Sequence, residues 1–275
     1  MPLFRTLRIP DFRLPPDGLP PFLELMPDFR SYFRPHELGP TSIELDPDES
    51  HHLISVNRAK SGDTVVAFDG KGNEWICACV EADRRRAVLK VRFHQRIKPL
   101  PYRITLAQAV PKGKSMDAIV RKATEIGVAR IAPLYSERTE VHLEKDREEV
   151  KTAKWRSATI EAAKQCGNAF LPEILAPQTA REFMETSARE FDLRLVASLQ
   201  PGARILRDVL AEYRLEHSQA PKNMVWMVGP EGDFTPAEMG NSKSAAFQPV
   251  SLGPLVLRCE TAAVYALSIL SYELQ

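Results

Sequence analysis

VGPEGDF (Val228–Phe234) and SLGPLVLRCETAA (Ser251–Ala263) are two glycine–proline loops near the carboxyl end of the chain. Each loop directly follows a short apolar run and leads into a predicted helix. Loops of this kind lie where the strands of a parallel sheet end, which is the edge at which α/β proteins bind their ligands. The two loops therefore predict a parallel sheet with a ligand site at its carboxyl edge.

Strands and helices alternate from residue 102 onward, and the runs ITLAQAV, RIAPLY, LRLVAS and MVWMV are predicted strands. Ser115 is placed to cap a helix that Gly127 ends, and TPAE at 235–238 has the pattern of a helix start with a capping box. A longer helix is predicted over 147–166, with inward side chains Val150, Trp155 and Ala158. Such alternation predicts an α/β fold, a mostly parallel sheet with helices on both faces.

The front of the chain, residues 30–98, has an all-β pattern. TSIEL, DTVVAF, EWICACV and AVLKVRF are short β-rich runs separated by turn signals such as SGD and DGKGN. They predict a small barrel whose interior includes Val65, Phe68, Trp75 and Val80. IKPLP at 97–101 is typical of a linker, because two prolines disfavour a strand. Residues 1–29 contain seven prolines and are predicted to be a poorly ordered extension.

Composition is that of a globular protein, 44% hydrophobic and 27% charged over 275 residues. No apolar run approaches the roughly 18 residues that a membrane helix needs, and the first residues lack the apolar core of a signal peptide. Four scattered cysteines are too few for a disulfide framework, which favours a cytoplasmic location. Cys77 and Cys79 have no second ligand pair, so no metal site is predicted.

Positive charge is concentrated in one part of the chain although the net charge is only +1. Twelve Lys and Arg residues stand between Arg84 and Lys122 against a single acid, Asp117. Clustered cations attract phosphate and release counterions from nucleic acid. The stretch is either an RNA-contacting surface or simply a solvated basic face.

Several common enzyme patterns are missing from the sequence. GKS at 113–115 suggests a phosphate-binding P-loop, but Gln108 stands where that pattern requires glycine. There is no GxGxxG, so neither a dinucleotide-binding domain nor a Rossmann-type methyltransferase is favoured. No Ser-His-Asp arrangement can be read from the spacing.

The motifs together resemble those of a known family. The two glycine–proline loops resemble the cofactor-binding half of the SPOUT RNA methyltransferases, and most of all the RsmE-type family, which methylates N3 of a uridine in 16S ribosomal RNA. HHL…R…GD…FDGKG, within 51–72, resembles the PUA-like RNA-binding barrel of that family, and the stretches 112–139 and 160–174 resemble two further family blocks. The resemblance covers residues 31–275. It departs at Asn168, where the family usually has an arginine, and this puts a contact to RNA or to a partner subunit in doubt.

The resemblance implies S-adenosyl-L-methionine as cofactor, 16S ribosomal RNA of the small ribosomal subunit as substrate, and a homodimer. It also implies a SPOUT domain over 102–275 in which the second loop threads through the first to form a deep trefoil knot. The implied cofactor-binding residues are Leu199, Val228, Gly229, Pro230, Glu231, Gly232, Ser251, Leu252, Gly253, Leu257 and Thr261. The implied RNA-binding residues are Arg58, Lys112, Lys114, Lys122 and Arg138.

Arg258 and Glu260 are the predicted catalytic residues. Uracil N3 carries a proton at neutral pH, so the site must favour the uracil anion or supply a base. Arg258 is predicted to stabilise negative charge on the uracil oxygens, while Glu260 orients Arg258 or relays the proton. The alternative for Glu260 is simply an acid that the start of a helix favours. Because N3 lies on the pairing edge, the target base must be unpaired to be reached.

Several alternatives stay open from the sequence. The function is RNA base methylation, another SPOUT activity such as ribose 2′-O-methylation of tRNA, or non-catalytic RNA binding in ribosome assembly. Gly229 and Gly232 can adopt positive φ and bring the backbone close to a ligand, and Glu231 and Asp233 either bind ribose hydroxyls or hold their loop. Leu255, Val256 and Leu257 are expected to give an apolar wall for a purine ring. The last helix, predicted over 260–272, is buried either in the core or at a dimer seam through Ala263, Leu267 and Leu270.

Overall fold

The computed structural model describes residues 29–35, 39–139 and 145–275. All but the last residue of the predicted extension, 1–29, lies outside these residues. Two sheets organise the described chain, one before and one after the linker at 97–101. Strand β1 begins at Phe29, one residue before the predicted start of the barrel.

The first sheet has five strands in the order β1-β3-β4-β5-β2. Its strands are β1 (Phe29–Tyr32), β2 (Ser42–Glu44), β3 (Thr64–Phe68), β4 (Asn73–Glu81) and β5 (Val88–Arg96). Helix α1 (Pro47–His51) and a π-helical turn (His52–Val56) connect β2 to β3. Two register shifts between β4 and β5 mark bulges, which bend a sheet and increase its twist. The four predicted strand runs are confirmed, but α1 and the π-helical turn were not predicted by the all-β pattern.

The interior of this sheet is filled by one face of β3 and β4. Val65 and Trp75 are buried in a common apolar cluster, as predicted. Phe68 is also fully buried, but against Tyr32 at a centroid distance of 5.7 Å and beneath the Arg30 guanidinium. The prediction for Val80 is wrong, since its side chain is 49% exposed. Side chains alternate along a strand, so a residue five positions after Trp75 faces the opposite side.

The second sheet has eight strands, seven in the order β11-β13-β10-β12-β6-β7-β8, with β9 pairing to β7. Every pairing in it is parallel, which confirms the prediction of a parallel sheet. The strands are β6 (Arg103–Ala109), β7 (Arg130–Tyr135), β8 (Glu173–Ile174), β9 (Gln178–Thr179), β10 (Leu193–Ala197), β11 (Arg204–Ile205), β12 (Asn223–Val228) and β13 (Gln248–Ser251).

Helices cover both faces of the second sheet. They are α2 (Ser115–Ile126), α3 (Lys145–Cys166), α4 (Ala180–Ser187), α5 (Leu206–His217), α6 (Pro236–Ser244) and α7 (Cys259–Leu274). One apolar cluster joins the sheet to α2, α3, α5 and α7, and a second joins the other face to α4 and α6. Trp155 and Ala158 on α3 are buried, but Val150 is 70% exposed, so its predicted inward position is wrong. Residues three apart share a helix face, whereas Val150 and Trp155 are five apart.

The predicted helix ends are confirmed with one correction. Gly127 closes α2 in the left-handed region at φ 88°. At α6 the Thr235 side chain accepts from the Glu238 N–H and the Glu238 carboxylate accepts from the Thr235 N–H, which is the predicted capping box. Ser115, however, is the first helical residue rather than the cap, and Lys114 precedes it without a side-chain cap bond.

Helix α7, the last helix, packs on the middle of the second sheet because the chain turns back across the sheet after β13. After β13 the segment 252–258 crosses back past β10, and α7 packs on β12, β6 and α2. Ala263, Leu267 and Leu270 are fully buried within this core. The two alternatives for these residues are thereby resolved in favour of the core. The trefoil knot stays a prediction.

The barrel and the second sheet meet at the DGKG turn. A Cβ on Gly72 would lie 2.4 Å from the Phe170 ring, and one on Gly70 would lie 2.7 Å from the Leu171 side chain. The Leu171 N–H donates to the Gly70 carbonyl at 2.9 Å, and the Gly72 N–H donates to the Ala169 carbonyl at 3.0 Å. Both glycines are therefore required by close approach as well as by positive φ.

A buried ionic cluster joins the same two parts of the chain. The Lys164 ammonium on α3 lies 2.9 Å from Glu49 Oε1 on α1 and 2.6 Å from Glu161 Oε1, with its side chain only 5% exposed. The Tyr32 N–H donates to the other Glu49 oxygen at 3.1 Å. His52, one of the two adjacent histidines, lies 3.2 Å from Glu161. A buried charge is tolerated only where it is paired and hydrogen-bonded, and Lys164 meets that condition.

Within residues 29–35, 39–139 and 145–275, no helix combines the length and the apolar character that a membrane span requires. No group of three or more His, Cys, Asp or Glu side chains in them is arranged to hold a metal ion.

Candidate functional site

A pocket of about 260 Å³ lies at the carboxyl edge of the second sheet. It is formed where β10, β12 and β13 end, three strands that are neighbours in the order β13-β10-β12. Its lining residues are Ala197, Ser198, Leu199, Val228, Gly229, Pro230, Glu231, Asp233, Val250, Leu252, Gly253, Leu255, Val256, Leu257, Arg258, Cys259 and Ala262. The site thus lies at the edge that the parallel topology predicts for a ligand.

The first glycine–proline loop is a tight turn after β12. The Asp233 N–H donates to the Pro230 carbonyl at 2.9 Å. A Cβ on Gly229 would lie 3.2 Å from both the Phe234 ring and the Phe234 nitrogen, a tight approach that a glycine makes without strain. Neither Gly229 nor Gly232 adopts the positive φ that glycine allows, and the left-handed residue of the turn is Asp233 at φ 61°. Aspartate tolerates this region because its carboxylate bonds locally, here to the Phe234 N–H at 2.8 Å.

The second loop forms an apolar wall. Gly253 adopts φ 123°, and the Ser251 hydroxyl bonds to both its N–H and its carbonyl, at 3.4 and 3.3 Å. Leu255 and Val256 then line the pocket although they are 74% and 77% exposed. Leu255 and Val256 thus offer apolar surface at the mouth of the pocket.

The predicted catalytic residues stand at the start of α7. Arg258 is the residue before the helix and lines the pocket with an exposed side chain. Glu260 lies in the first turn, half-buried, and its carboxylate accepts from the Cys259 thiol at 3.4 Å. Arg258 therefore lines the pocket, whereas Glu260 is not among the residues that line it.

Cys259 is a pocket residue that the sequence analysis missed. Burial raises the pKa of its thiol to about 12, and the hydrogen bond to Glu260 and the negative charges of Glu231 and Glu260 add to the rise. The thiol is therefore protonated at neutral pH. Since the thiolate is the nucleophilic form of cysteine, Cys259 does not compete as a nucleophile in this pocket.

Most of the predicted cofactor-binding residues line the pocket, but three do not. Gly232 lies in the exposed part of the first turn, Ser251 supports Gly253, and Thr261 points outward from α7. The lining residues missed from the sequence, apart from Cys259, are Ala197, Ser198, Val250 and Ala262. The end of the predicted strand LRLVAS was a signal for the first two, because it reaches the same edge of the sheet.

Two of the predicted RNA-binding residues contact the first loop. The Lys112 N–H donates to Glu231 Oε1 at 3.1 Å, and the Arg138 guanidinium donates to the Gly232 carbonyl at 2.5 Å. Lys114 lies exposed at the start of α2, two residues after Lys112. These residues come from the loops after β6 and β7, which end at the same edge as the pocket.

The other two predicted RNA-binding residues lie elsewhere. Lys122 is an exposed residue of α2 and pairs with Glu125 at 2.7 Å. Arg58 is an exposed residue of the barrel with φ 62°. Within the described part of the chain, neither side chain is hydrogen-bonded to a residue of the pocket.

Two family profiles match the chain in the same order as the two sheets. An RNA methyltransferase PUA domain matches residues 45–92, and an RNA methyltransferase domain matches residues 98–271. The ribosomal RNA small subunit methyltransferase E of Synechocystis sp. is 32% identical over 241 residues, which are 87% of this chain and 76% of that relative. The chain belongs to the ribosomal RNA small subunit methyltransferase E family.

Solved structures related to this family have the same architecture. A methyltransferase from Legionella pneumophila, in complex with bound SAM, has a TM-score of 0.80 at 31% identity over 89% of this chain and 97% of its own. A ribosomal RNA small subunit methyltransferase E from Neisseria gonorrhoeae, bound to S-adenosyl methionine, has a TM-score of 0.77 at 29% identity over the same shares. The predicted α/β fold with a PUA-like front barrel is confirmed.

Asn168, the position at which the resemblance departs, has a structural part in this chain. Its side-chain amide donates to the Thr124 carbonyl at the end of α2 at 3.2 Å, and its oxygen accepts from the Phe170 N–H at 2.9 Å. It therefore fixes the segment that packs against Gly70 and Gly72.

Proposed function

We propose that this protein transfers a methyl group from S-adenosyl-L-methionine to N3 of a uridine in 16S ribosomal RNA of the small ribosomal subunit. The observation that carries the proposal is the pocket at the ends of β10, β12 and β13, in a chain of the methyltransferase E family. We take the substrate class, ribosomal RNA of the small subunit, from the names of the relatives. We take the cofactor from the two solved neighbours, both of which have S-adenosyl methionine bound. The choice of uracil N3 follows from the resemblance of the SLGPLVLRCETAA loop.

The residues of the pocket fit this cofactor. Leu252, Leu255 and Val256 give apolar surface for a purine ring, and the backbone of the first loop is brought close by the absence of a side chain at Gly229. The carboxylates of Glu231 and Asp233 are the negative charges of the lining. When bound, S-adenosyl-L-methionine supplies an electrophilic methyl group on a positively charged sulfur. Carboxylates in the wall favour that positive charge.

Arg258 is proposed to stabilise the uracil anion. Its exposed guanidinium stands at the pocket beside the start of α7, where negative charge on the uracil oxygens would meet a cation. A nearby positive charge favours the anionic form of the base and so the loss of the N3 proton. Glu260 is proposed as the residue that orients Arg258 or relays the proton, since it lies in the first turn of α7, two residues after Arg258.

The RNA is proposed to lie across the barrel and the edge of the second sheet. Arg58 on the barrel, Lys112, Lys114 and Arg138 at the edge, and Lys122 on α2 supply positive charge for its phosphates. We propose the corresponding division into a barrel, 30–98, and a methyltransferase domain, 102–275. A cytoplasmic location belongs to the same proposal, because its four cysteines are free thiols and its substrate is the ribosomal subunit.

A methyl-transfer assay tests the proposal. The purified protein is mixed with labelled S-adenosyl-L-methionine and small ribosomal subunits that lack their own modification, and the digested RNA is analysed by mass. We expect label in 3-methyluridine. Label at a ribose of tRNA would favour the other SPOUT activity. Cofactor binding without transfer to any RNA would contradict the proposed substrate, and no cofactor binding would favour a non-catalytic protein.

A homodimer is also part of the proposal. The large apolar side chains exposed around the pocket and along α7 are Leu199 (61%), Leu255 (74%), Val256 (77%), Tyr265 (48%) and Tyr272 (80%). A second copy that covered them would remove apolar area from water, which favours association. We expect sedimentation equilibrium to give twice the chain mass of 30.9 kDa. A mass of one chain at micromolar concentration would refute the dimer.

A further inference from the structure

The turn after β7, Ser136–Thr139, is held rigid by its own groups. The Ser136 N–H donates to the Thr139 hydroxyl at 2.9 Å, and the Thr139 N–H donates to the Ser136 carbonyl at 3.0 Å. The Arg138 N–H donates to the Ser136 hydroxyl at 3.2 Å. Ser136 and Thr139 are both buried. The turn therefore presents the Arg138 side chain from a fixed base.

A buried carboxylate ties this turn to the helix that follows the first loop. Glu238 is 5% exposed and accepts from the Glu137 N–H on Oε1 at 3.0 Å and from the Thr235 N–H on Oε2 at 2.9 Å. Hydrogen bonds to a buried charge are among the strong ones in proteins. The base of Arg138 and the start of α6 are thus fixed to each other.

Arg138 itself lies on the first loop. Its guanidinium donates one N–H to the Gly232 carbonyl, and its Cδ lies 3.4 Å from the place of a Cβ on Gly232. A guanidinium has five N–H donors in a planar fork, and the side chain of Arg138 is exposed. The same group can therefore hold the loop carbonyl and a phosphate at the same time.

We propose that Arg138 couples RNA binding to cofactor binding. In this proposal one guanidinium binds the Gly232 carbonyl of the first loop and an RNA phosphate at the same time. The proposal rests on the proposed function. Fixing an exposed arginine side chain in one conformation costs entropy. If the cofactor or the RNA has already fixed Arg138, the other one binds without that entropy cost. Each ligand then raises the affinity for the other by the same factor. Arg138 is a positioning residue in this scheme.

The coupling is measured with a cofactor that cannot react. Labelled S-adenosylhomocysteine is bound to the protein alone and then with saturating unmethylated small subunits, by equilibrium dialysis. For the unchanged protein we expect binding about tenfold tighter with the subunits, within the usual range of coupling. For Arg138→Ala we expect weaker binding to the protein alone and a coupling factor near one.

Two further variants distinguish coupling between the two ligands from structural support of the first loop by Arg138. In Arg138→Lys the ammonium still reaches the Gly232 carbonyl but lacks the planar fork of donors that binds a carbonyl and a phosphate together, so cofactor binding without subunits is kept and the coupling factor falls toward one. Lys122→Gln is the matched control. It removes a cation that pairs with Glu125 away from the first loop, so subunit binding weakens while the tenfold factor stays.

Each remaining outcome decides against the coupling. If Arg138→Ala weakens cofactor binding equally with and without subunits, Arg138 only stabilises the first loop and does not couple the two ligands. If the unchanged protein methylates the subunits but its coupling factor is one, the inference fails and the proposed function stands. If it neither binds nor methylates them, the proposed function fails and the coupling fails with it.

Discussion

Replacing Arg258 with alanine is expected to lower the turnover number about 100- to 1,000-fold, the usual cost of removing one group that stabilises developing negative charge. Arg258 is exposed at the pocket before the first turn of α7, so its loss removes charge without opening a cavity. The measurement is single-turnover methyl transfer to unmethylated small subunits at saturating cofactor.

The controls for Arg258 address charge and folding separately. Arg258→Lys keeps the charge but not the planar fork of donors, so partial activity is expected. Arg181→Ala removes an equally exposed arginine from α4, on the opposite face of the sheet, where it pairs with Glu185, and normal turnover is expected. Near-normal turnover in Arg258→Ala would show that this residue does not stabilise the uracil anion.

Lys164→Met is expected to have the largest effect on stability, a loss of about 3–5 kcal/mol in the free energy of unfolding. The ammonium lost in this variant holds Glu49 and Glu161 at the joint between the barrel and α3. Methionine fills similar space, so the cost comes mainly from the buried Glu49 carboxylate, which loses its cation and keeps the Tyr32 N–H. Urea unfolding followed by tryptophan fluorescence measures the change.

The matched control is Lys154→Met on the same helix. Lys154 pairs with Asp117, but its side chain is 61% exposed, and exposed pairs contribute about 0–1 kcal/mol. A loss confined to Lys164→Met is the expected result. Equal losses in the two variants would mean that the buried cluster does not hold the joint together.

The cost of Lys164→Met is expected to depend on pH. Burial raises the pKa of the Glu49 carboxyl, and the Lys164 ammonium opposes that rise. A carboxyl with a raised pKa favours the folded state below its unfolded pKa of about 4.3, and that contribution is lost as pH rises through the folded pKa. Without Lys164 the folded pKa rises further. The loss in free energy of unfolding caused by Lys164→Met should therefore be largest near neutral pH and should shrink as the pH falls toward about 4.3.

The sequence by itself determined the central strands of the parallel sheet, several of its helices and the family. Strand and helix periods are local, so the parallel strands, the capping box at Thr235 and the stop at Gly127 could all be predicted. The two glycine–proline loops are contiguous motifs, so they pointed to the ligand edge and to the family. Predictions of which side chains face inward were weaker, and they failed for Val80 and Val150 because a count of apolar residues ignores which face each one occupies.

Only the tertiary structure decided which distant groups meet. Lys164 and Glu49 are 115 residues apart, and Arg138 and Gly232 are 94 apart, so no local pattern pairs them. The left-handed residue of the first turn is Asp233 rather than a glycine. Local periods are set by the geometry of the backbone, whereas contacts at such separations exist only once the sheets and helices have packed together.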